Sequence, residues 1–140
     1  MIKYNKLPEN IEALIPEAVI YLQSRPDVLF AYLFGSLAKG KPLPLSDIDI
    51  AVYLAEGAAI HEQKMGILGK LIEILQTDEI DLVILNKSPL TLCMQTLKNK
   101  KVIVDKVPFI RHQYESLTMR KYFDFSIKET SILERRFPDG

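Results

Sequence analysis

Two aspartates separated by one residue, Asp47 and Asp49, have the spacing in this sequence that best fits a chemical role. They open residues 47–54 (DIDIAVYL), whose apolar composition predicts a strand buried on at least one face. Side chains two positions apart in a strand project to the same face, so the two carboxylates are expected to lie together. Adjacent carboxylates repel, and apolar surroundings make each ionised form more costly. The pair therefore predicts a divalent cation, and hard oxygen ligands favour Mg²⁺ held by carboxylates together with substrate phosphates.

A third acid, Asp81, interrupts the next apolar run, residues 80–85 (IDLVIL). By itself it is typical of a solvated residue at the start of a strand. If this strand is a neighbour of residues 47–54, however, Asp81 could complete a cluster of three carboxylates. Such a cluster can hold two metal ions, and Asp81 would then be a metal ligand or the proton acceptor.

A Gly-Ser pair, Gly35-Ser36, follows the apolar run 28–34 and precedes Asp47 by ten intervening residues. Glycine allows the backbone to approach a phosphate closely, and the Ser36 hydroxyl and nearby N–H groups can donate to phosphate oxygens. Lys39 and Lys41 could neutralise further phosphate charge. Alone, a Gly-Ser pair or an Asp-x-Asp pair usually belongs to a turn, but their combination around two strands predicts a phosphate and metal site.

The elements that must position these residues alternate between helix and strand along the chain. Apolar residues recur at helical spacing in some segments, while others are short β-rich runs bounded by Gly, Pro or polar residues. This alternation indicates an α/β architecture with one sheet and helices packed against it. The predicted helices cover residues 7–24 (interrupted or kinked near Pro16), 58–76, about 88–98 (Ser88 as N-cap, Pro89 as the first helical residue) and 108–137; the predicted strands cover 28–34, 47–54, 80–85 and 101–105.

Length and composition exclude several classes of protein. The chain has 140 residues, 18 basic and 18 acidic side chains and a single cysteine, Cys93. One ordinary globular domain is expected, without internal disulfides, and zero net charge argues against direct nucleic-acid binding. The longest mostly apolar stretch, residues 28–38, is too short for a bilayer, which needs about 20 residues. We therefore expect a cytoplasmic protein with no membrane contact, in which Cys93, His61 and His112 are structural or surface residues.

The zero net charge is the sum of two unlike regions. Residues 1–90 contain 8 Lys/Arg and 12 Asp/Glu, whereas residues 91–140 contain 10 and 6. Half of the twelve aromatic side chains also lie between residues 109 and 137. These aromatic residues either cap the core of the domain or form an interface with a partner, and both roles are compatible with different faces of one helix.

The motif Gly35-Ser36-x10-Asp47-x-Asp49 resembles the signature of the nucleotidyltransferase superfamily that includes DNA polymerase β and the aminoglycoside nucleotidyltransferases. The short loop and the apolar strand after the acids resemble its minimal nucleotidyltransferase (MNT) branch, from about residue 7 to 105 and more loosely at 120–125 (RKYFDF). The resemblance implies a nucleotidyltransferase fold: a small mixed sheet of about four strands flanked by helices. Residues 1–107 would form the domain, and 108–140 a helical extension packed on it.

The resemblance also implies roles for individual residues. Asp47, Asp49 and Asp81 would be catalytic and metal-binding, and Gly35, Ser36, Lys39 and Ser46 would bind the nucleotide. Lys39 stands where relatives often have arginine; lysine keeps the charge but loses the bidentate geometry of a guanidinium.

MNT proteins of this size are similar to the antitoxin half of HEPN/MNT toxin–antitoxin pairs. This similarity implies Mg²⁺-dependent transfer of AMP from ATP to a tyrosine hydroxyl of a HEPN ribonuclease toxin, and a hetero-oligomer with that toxin. Two alternatives remain: an antitoxin that neutralises its partner by binding alone, and a nucleotidyltransferase acting on a small molecule. The short chain disfavours the second, because it lacks room for another domain. The ribonuclease half is excluded, because no arginine precedes His61 or His112 by four to six residues.

Overall fold

The computed structural model describes residues 8–35, 38 and 47–136, with the backbone alone for 132–136. The predicted alternation of helices and strands is confirmed, and most boundaries lie within a few residues of those expected. The elements are α1 (Ile11–Ser24), β1 (Val28–Phe34), β2 (Ile48–Leu54), α2 (Ile60–Leu75), β3 (Ile80–Ile84), a 3₁₀ turn (Leu85–Lys87), α3 (Leu90–Lys98), β4 (Lys101–Asp105) and α4 (Pro108–Arg136).

The four strands form one mixed sheet in the order β3-β2-β1-β4. β1 lies in the centre and pairs antiparallel with β2 and β4, while β2 and β3 are parallel. A parallel pair needs a crossover connection, and α2 supplies it between β2 and β3. This topology confirms the predicted small mixed sheet flanked by helices.

Both faces of the sheet are covered by helices, and the alternation of side chains along the strands produces two apolar layers. On one face, residues such as Leu33, Ile50 and Ile84 pack with the buried faces of α1 and α2. On the other face, Tyr32, Ala51 and Val83 and their neighbours pack against α3 and the start of α4. β1 accordingly is buried along nearly its whole length, as its continuous apolar sequence predicts.

The first turns of α4 pack against the sheet, and the remainder leaves it. The Tyr114 ring lies 5.6 Å from the ring of Phe30 and 5.3 Å from that of Tyr53, measured between centroids. After Thr118, however, nearly every side chain up to residue 131 is exposed, including Phe123 (65%) and Ile127 (52%). Tyr114 therefore caps the core, as one of the two predictions has it, whereas Phe123 lies on an exposed helix face and its role at an interface stays a prediction.

A group of charged side chains joins α4 to the sheet. Arg111 in its first turn contacts Asp105 at the end of β4 (Nε to Oδ1, 3.1 Å) and donates to Glu115 one turn later (Nη1 to Oε1, 2.8 Å). Lys100 lies on the other side of Glu115 (Nζ to Oε2, 3.5 Å). The side chains of Arg111 and Glu115 are 14% and 11% exposed, so this pair is largely removed from solvent.

Two local predictions differ from the structure. The expected N-cap of α3, Ser88, does not cap the helix: Pro89 occupies the N-cap position, and the Ser88 hydroxyl donates instead to the carbonyl oxygen of Ile84. Proline fits there because its backbone is extended (φ −59°, ψ 151°). The helix α1 also continues through Pro16 from Ile11 to Ser24, so an interruption there is wrong and a kink stays a prediction. Leu7 and Phe137, the expected limits of the first and last helices, lie outside the described residues.

Across the part of the chain that the structure describes, no helix combines the length and apolar character needed to cross a membrane.

Candidate active site

Asp47 and Asp49 lie at the beginning of β2, at the end of the sheet where β1 finishes. Asp47 immediately precedes the strand, Asp49 is its second residue, and both are half-buried. Between them, the Ile48 amide donates to the carbonyl oxygen of Glu79 (2.9 Å), which fixes the start of β2 against the segment leading into β3. Because Ile48 is buried in the layer beneath α1 and α2, the two acids are directed to the opposite face, toward α3 and α4.

The predicted neighbour relationship of the third acid is confirmed, because Asp81 is the register partner of Asp49 in the parallel pair β2–β3. The turn before β3 is held by Thr77, whose hydroxyl oxygen accepts from the Glu79 amide (3.2 Å). Asp81 is nevertheless exposed, unlike the other two acids. Among the described residues, no three Asp, Glu, His or Cys side chains converge as a complete metal-binding group.

Gly35 lies against the second of the two acids, Asp49. It follows β1 directly with φ +75°, a conformation that glycine adopts without steric cost. A β-carbon on Gly35 would overlap Oδ2 of Asp49 on the adjacent strand, so the backbone here is in close contact with the carboxylate. Phe34, the preceding residue, is the register partner of Asp49. The glycine and the second aspartate of the motif are therefore neighbours in the structure.

Three of the predicted nucleotide-binding residues, Ser36, Lys39 and Ser46, lie outside the described residues, as does Lys41. Their roles stay predictions.

A residue group that the sequence interpretation missed lies beside the same loop. Ala38 borders a cavity of about 390 Å³ whose other walls are Leu97, Lys98, Asn99 and Lys100, at the turn between α3 and β4. The signal available in the sequence was the basic run KNKK at 98–101, which lies far along the chain from the acids.

The residues expected to be structural or to lie on the surface, Cys93, His61 and His112, lie away from the acids. His61 and His112 are exposed on helices, and Cys93 is buried, with its Sγ 3.5 Å from the Ser88 carbonyl oxygen. Two tyrosines away from the acids have strongly shifted pKa values. Burial raises the pKa of the Tyr32 and Tyr114 phenols well above their ordinary range.

Residues 17–108 match the family model described as polymerase beta, nucleotidyltransferase. The match covers more than half of the chain, so this protein belongs to that nucleotidyltransferase family. A search of curated protein sequences finds no match.

Solved structures similar to this chain include antitoxins in complex with toxins. One, a toxin–antitoxin crystal structure with AMP-PNP, is 26% identical, with a TM-score of 0.71 over 87% of this chain and 98% of the other. A minimal nucleotidyltransferase is 27% identical, with a TM-score of 0.54 over 65% of this chain and 93% of the other. A third is the complex of tri-AMPylated HEPN toxin with MNT antitoxin from Shewanella oneidensis. At 23% identity and a TM-score of 0.67, over 91% of this chain and 98% of the other, it shows the shared fold.

Proposed function

We propose that this protein is an antitoxin-type adenylyltransferase that transfers AMP from ATP to a tyrosine hydroxyl of a HEPN ribonuclease toxin and thereby neutralises it. The observation that carries the proposal is the contact between Gly35 and Asp49, which joins a phosphate-type turn to a pair of acids. The similarity over most of the chain to an antitoxin solved with its toxin and AMP-PNP supports the same function.

The donor set fits Mg²⁺. Asp47 and Asp49 offer hard carboxylate oxygens from one face of a strand, and Mg²⁺ typically takes one or two carboxylates with substrate phosphates and water as its other ligands. Bound there, Mg²⁺ would neutralise charge that develops on the phosphates during transfer.

The protein's own residues would position the reactants. The tyrosine oxygen attacks the α-phosphorus of ATP, the new O–P bond forms as the bond to the bridging oxygen breaks, and diphosphate leaves. The phenol proton must go to an acceptor, and the exposed carboxylate of Asp81, one strand from Asp49, is the proposed acceptor. The backbone at Gly35 holds the phosphate turn close to the acids, with Ser36, Lys39 and Ser46 as further nucleotide contacts.

A second candidate function is neutralisation by binding alone, and the open face of α4 favours it. Phe109, Phe123 and Ile127 are exposed on this helix. Phe109 also borders a cavity of about 690 Å³, together with Tyr53 and Leu117, which could accept a side chain of the toxin.

Incubation of the protein and its cognate HEPN toxin with labelled ATP and Mg²⁺ separates the two functions. We expect label on the toxin, lost in Asp47→Asn and Asp49→Asn and retained in Glu62→Gln, an exposed acid of α2. Ribonuclease activity should return when transfer is lost. If the two aspartate variants neutralise the toxin as well as the wild type does, binding alone is the function.

A further inference from the structure

At one end of the sheet, the strands β2 and β3 carry aspartates and the turn before β4 carries lysines. Asp49 in β2 pairs with Asp81 in β3 on one side and with Phe34 in β1 on the other. The residue before Phe34, Leu33, pairs with Lys101 of β4. Lys100, which precedes Lys101, therefore ends this row. Neighbouring strands lie about 4.8 Å apart, so the start of β4 is about 10 Å from Asp49.

Lys100 is held toward the same face of the sheet as Asp49. Its ammonium group lies 5.8 Å from the centroid of the Tyr32 ring and 3.5 Å from a carboxylate oxygen of Glu115, and its side chain is 27% exposed. Tyr32 and Asp49 both belong to the face covered by α3 and α4. The position of Lys100 is thus fixed by packing and by an ion pair.

Lys98 and Asn99 complete the turn and are available to a ligand. Both are exposed, and no described acid forms an ion pair with Lys98. With Lys100 they border the cavity of about 390 Å³ that Ala38 also lines. The cavity therefore lies between Ala38 and a turn that offers ammonium and amide donors.

We propose that this cavity is a subsite for phosphate groups of the substrates, with Lys98 and Asn99 as its donors and Lys100 as a fixed positive charge. The inference rests on the proposed transfer function and extends it to residues outside the nucleotidyltransferase motif. Lysine ammonium groups and amide N–H groups bind phosphate through charge-assisted hydrogen bonds. The start of β4, which follows this turn, lies about two strand spacings from Asp49, at the same end of the sheet.

Phosphate could enter this subsite from two sources: the triphosphate of the incoming ATP, or the phosphate of an AMP already attached to the toxin. The variant Lys98→Ala distinguishes the two sources, because they affect different measurements. It is expected to fold normally, since Lys98 is exposed at the end of α3 and alanine suits a helix. Lys98→Arg keeps the charge. Lys87→Ala is the matched control, since Lys87 is an exposed lysine in the 3₁₀ turn after β3, at the end of that strand away from Asp81.

Two measurements are made on the full-length variants. The first is the dissociation constant of AMP-PNP with Mg²⁺ by calorimetry, at two salt concentrations and in competition with tripolyphosphate. The second is the number of AMP units on the toxin by intact mass spectrometry. If the triphosphate occupies the subsite, Lys98→Ala weakens AMP-PNP binding about fivefold to tenfold and reduces its salt dependence, while Lys98→Arg and Lys87→Ala bind as the wild type does.

If the attached AMP occupies the subsite, AMP-PNP affinity is unchanged in Lys98→Ala, the first transfer proceeds, and the product stops at one AMP where the wild type adds more. Unchanged affinity together with an unchanged product distribution overturns the subsite. If the wild type transfers no AMP, the proposed function fails separately. The affinity measurement then decides alone, and an unchanged dissociation constant overturns the subsite.

Discussion

The carboxylate of Asp49 lies against the α-carbon of Gly35, so that a methyl group on that α-carbon would overlap Oδ2 of Asp49. This contact joins the end of β1 to the start of β2, and it explains why a glycine stands at one end of the motif and an aspartate at the other.

Gly35→Ala is expected to abolish AMP transfer and to lower the free energy of unfolding by about 2 kcal/mol. The alanine backbone would be strained at this positive φ, and its β-carbon would displace the Asp49 carboxylate. Gly57→Ala is the matched control: Gly57 also has a positive φ, +85°, but a β-carbon there would contact nothing within 4 Å. Urea unfolding and labelled-ATP transfer check both variants. Equal effects of the two substitutions would show that strain alone, without Asp49, explains the result at Gly35.

Asp81→Asn is expected to slow transfer by about 10²-fold without weakening the binding of Mg²⁺ and AMP-PNP, because removal of a proton acceptor affects the chemical step. Asp81 is exposed and lies one strand from Asp49, which agrees with this role. Single-turnover rates and calorimetry separate the two effects. A loss of nucleotide affinity as large as that of Asp49→Asn would identify Asp81 as a metal ligand instead.

Removal of divalent cations with EDTA is expected to stop transfer while the melting temperature of the free protein stays unchanged. Asp47 and Asp49 are only half-buried, at the end of the sheet rather than within either apolar layer, so folding does not depend on a cation between them. Added Mg²⁺ should restore transfer. A large fall in melting temperature with EDTA would instead indicate a structural metal.

Arg111→Met is expected to lower the free energy of unfolding by about 3 kcal/mol, because it leaves the buried carboxylate of Glu115 without its closest partner. Arg111→Met combined with Glu115→Leu should recover much of this loss, since both buried charges are then gone while Asp105 and Lys100 remain partly solvated. Urea unfolding of the two variants provides the test. No recovery in the double variant would mean that packing, not charge, dominates at Arg111.

Tyr32 and Tyr114 are expected to stay protonated when exposed tyrosines ionise. Burial raises the pKa of each phenol in the folded protein above the value of about 10 typical of an unfolded chain. The folded state then holds protons that the unfolded state has released, so their contribution to stability is complete below about pH 10 and declines above it. Absorbance at 295 nm should show two of the six tyrosines titrating only on unfolding. Titration of all six before unfolding would contradict the burial of these hydroxyls.

Several features of the fold and site follow from local sequence patterns. The continuous apolar run of β1, the alternation at the start of β2 and the helical spacing in α2 each depend on neighbouring residues, and the structure confirms all three elements. The capping of α3 was predicted wrongly, because Ser-Pro is compatible with two placements of the helix start. The side chain of Ser88 bonds back to Ile84 in the preceding strand, and this decides between them.

The sequence by itself determined the α/β class and the spacing that places Asp47 and Asp49 on one face of a strand, because strand periodicity is a local property. Only the tertiary structure decided that β3 lies parallel to β2, which makes Asp81 a register partner of Asp49. It likewise decided that Ala38 and the Lys98–Lys100 turn border one cavity, and that α4 is largely exposed between residues 119 and 131. These relationships join residues far apart in the chain, and strand order and helix packing determine them rather than any pattern within one segment.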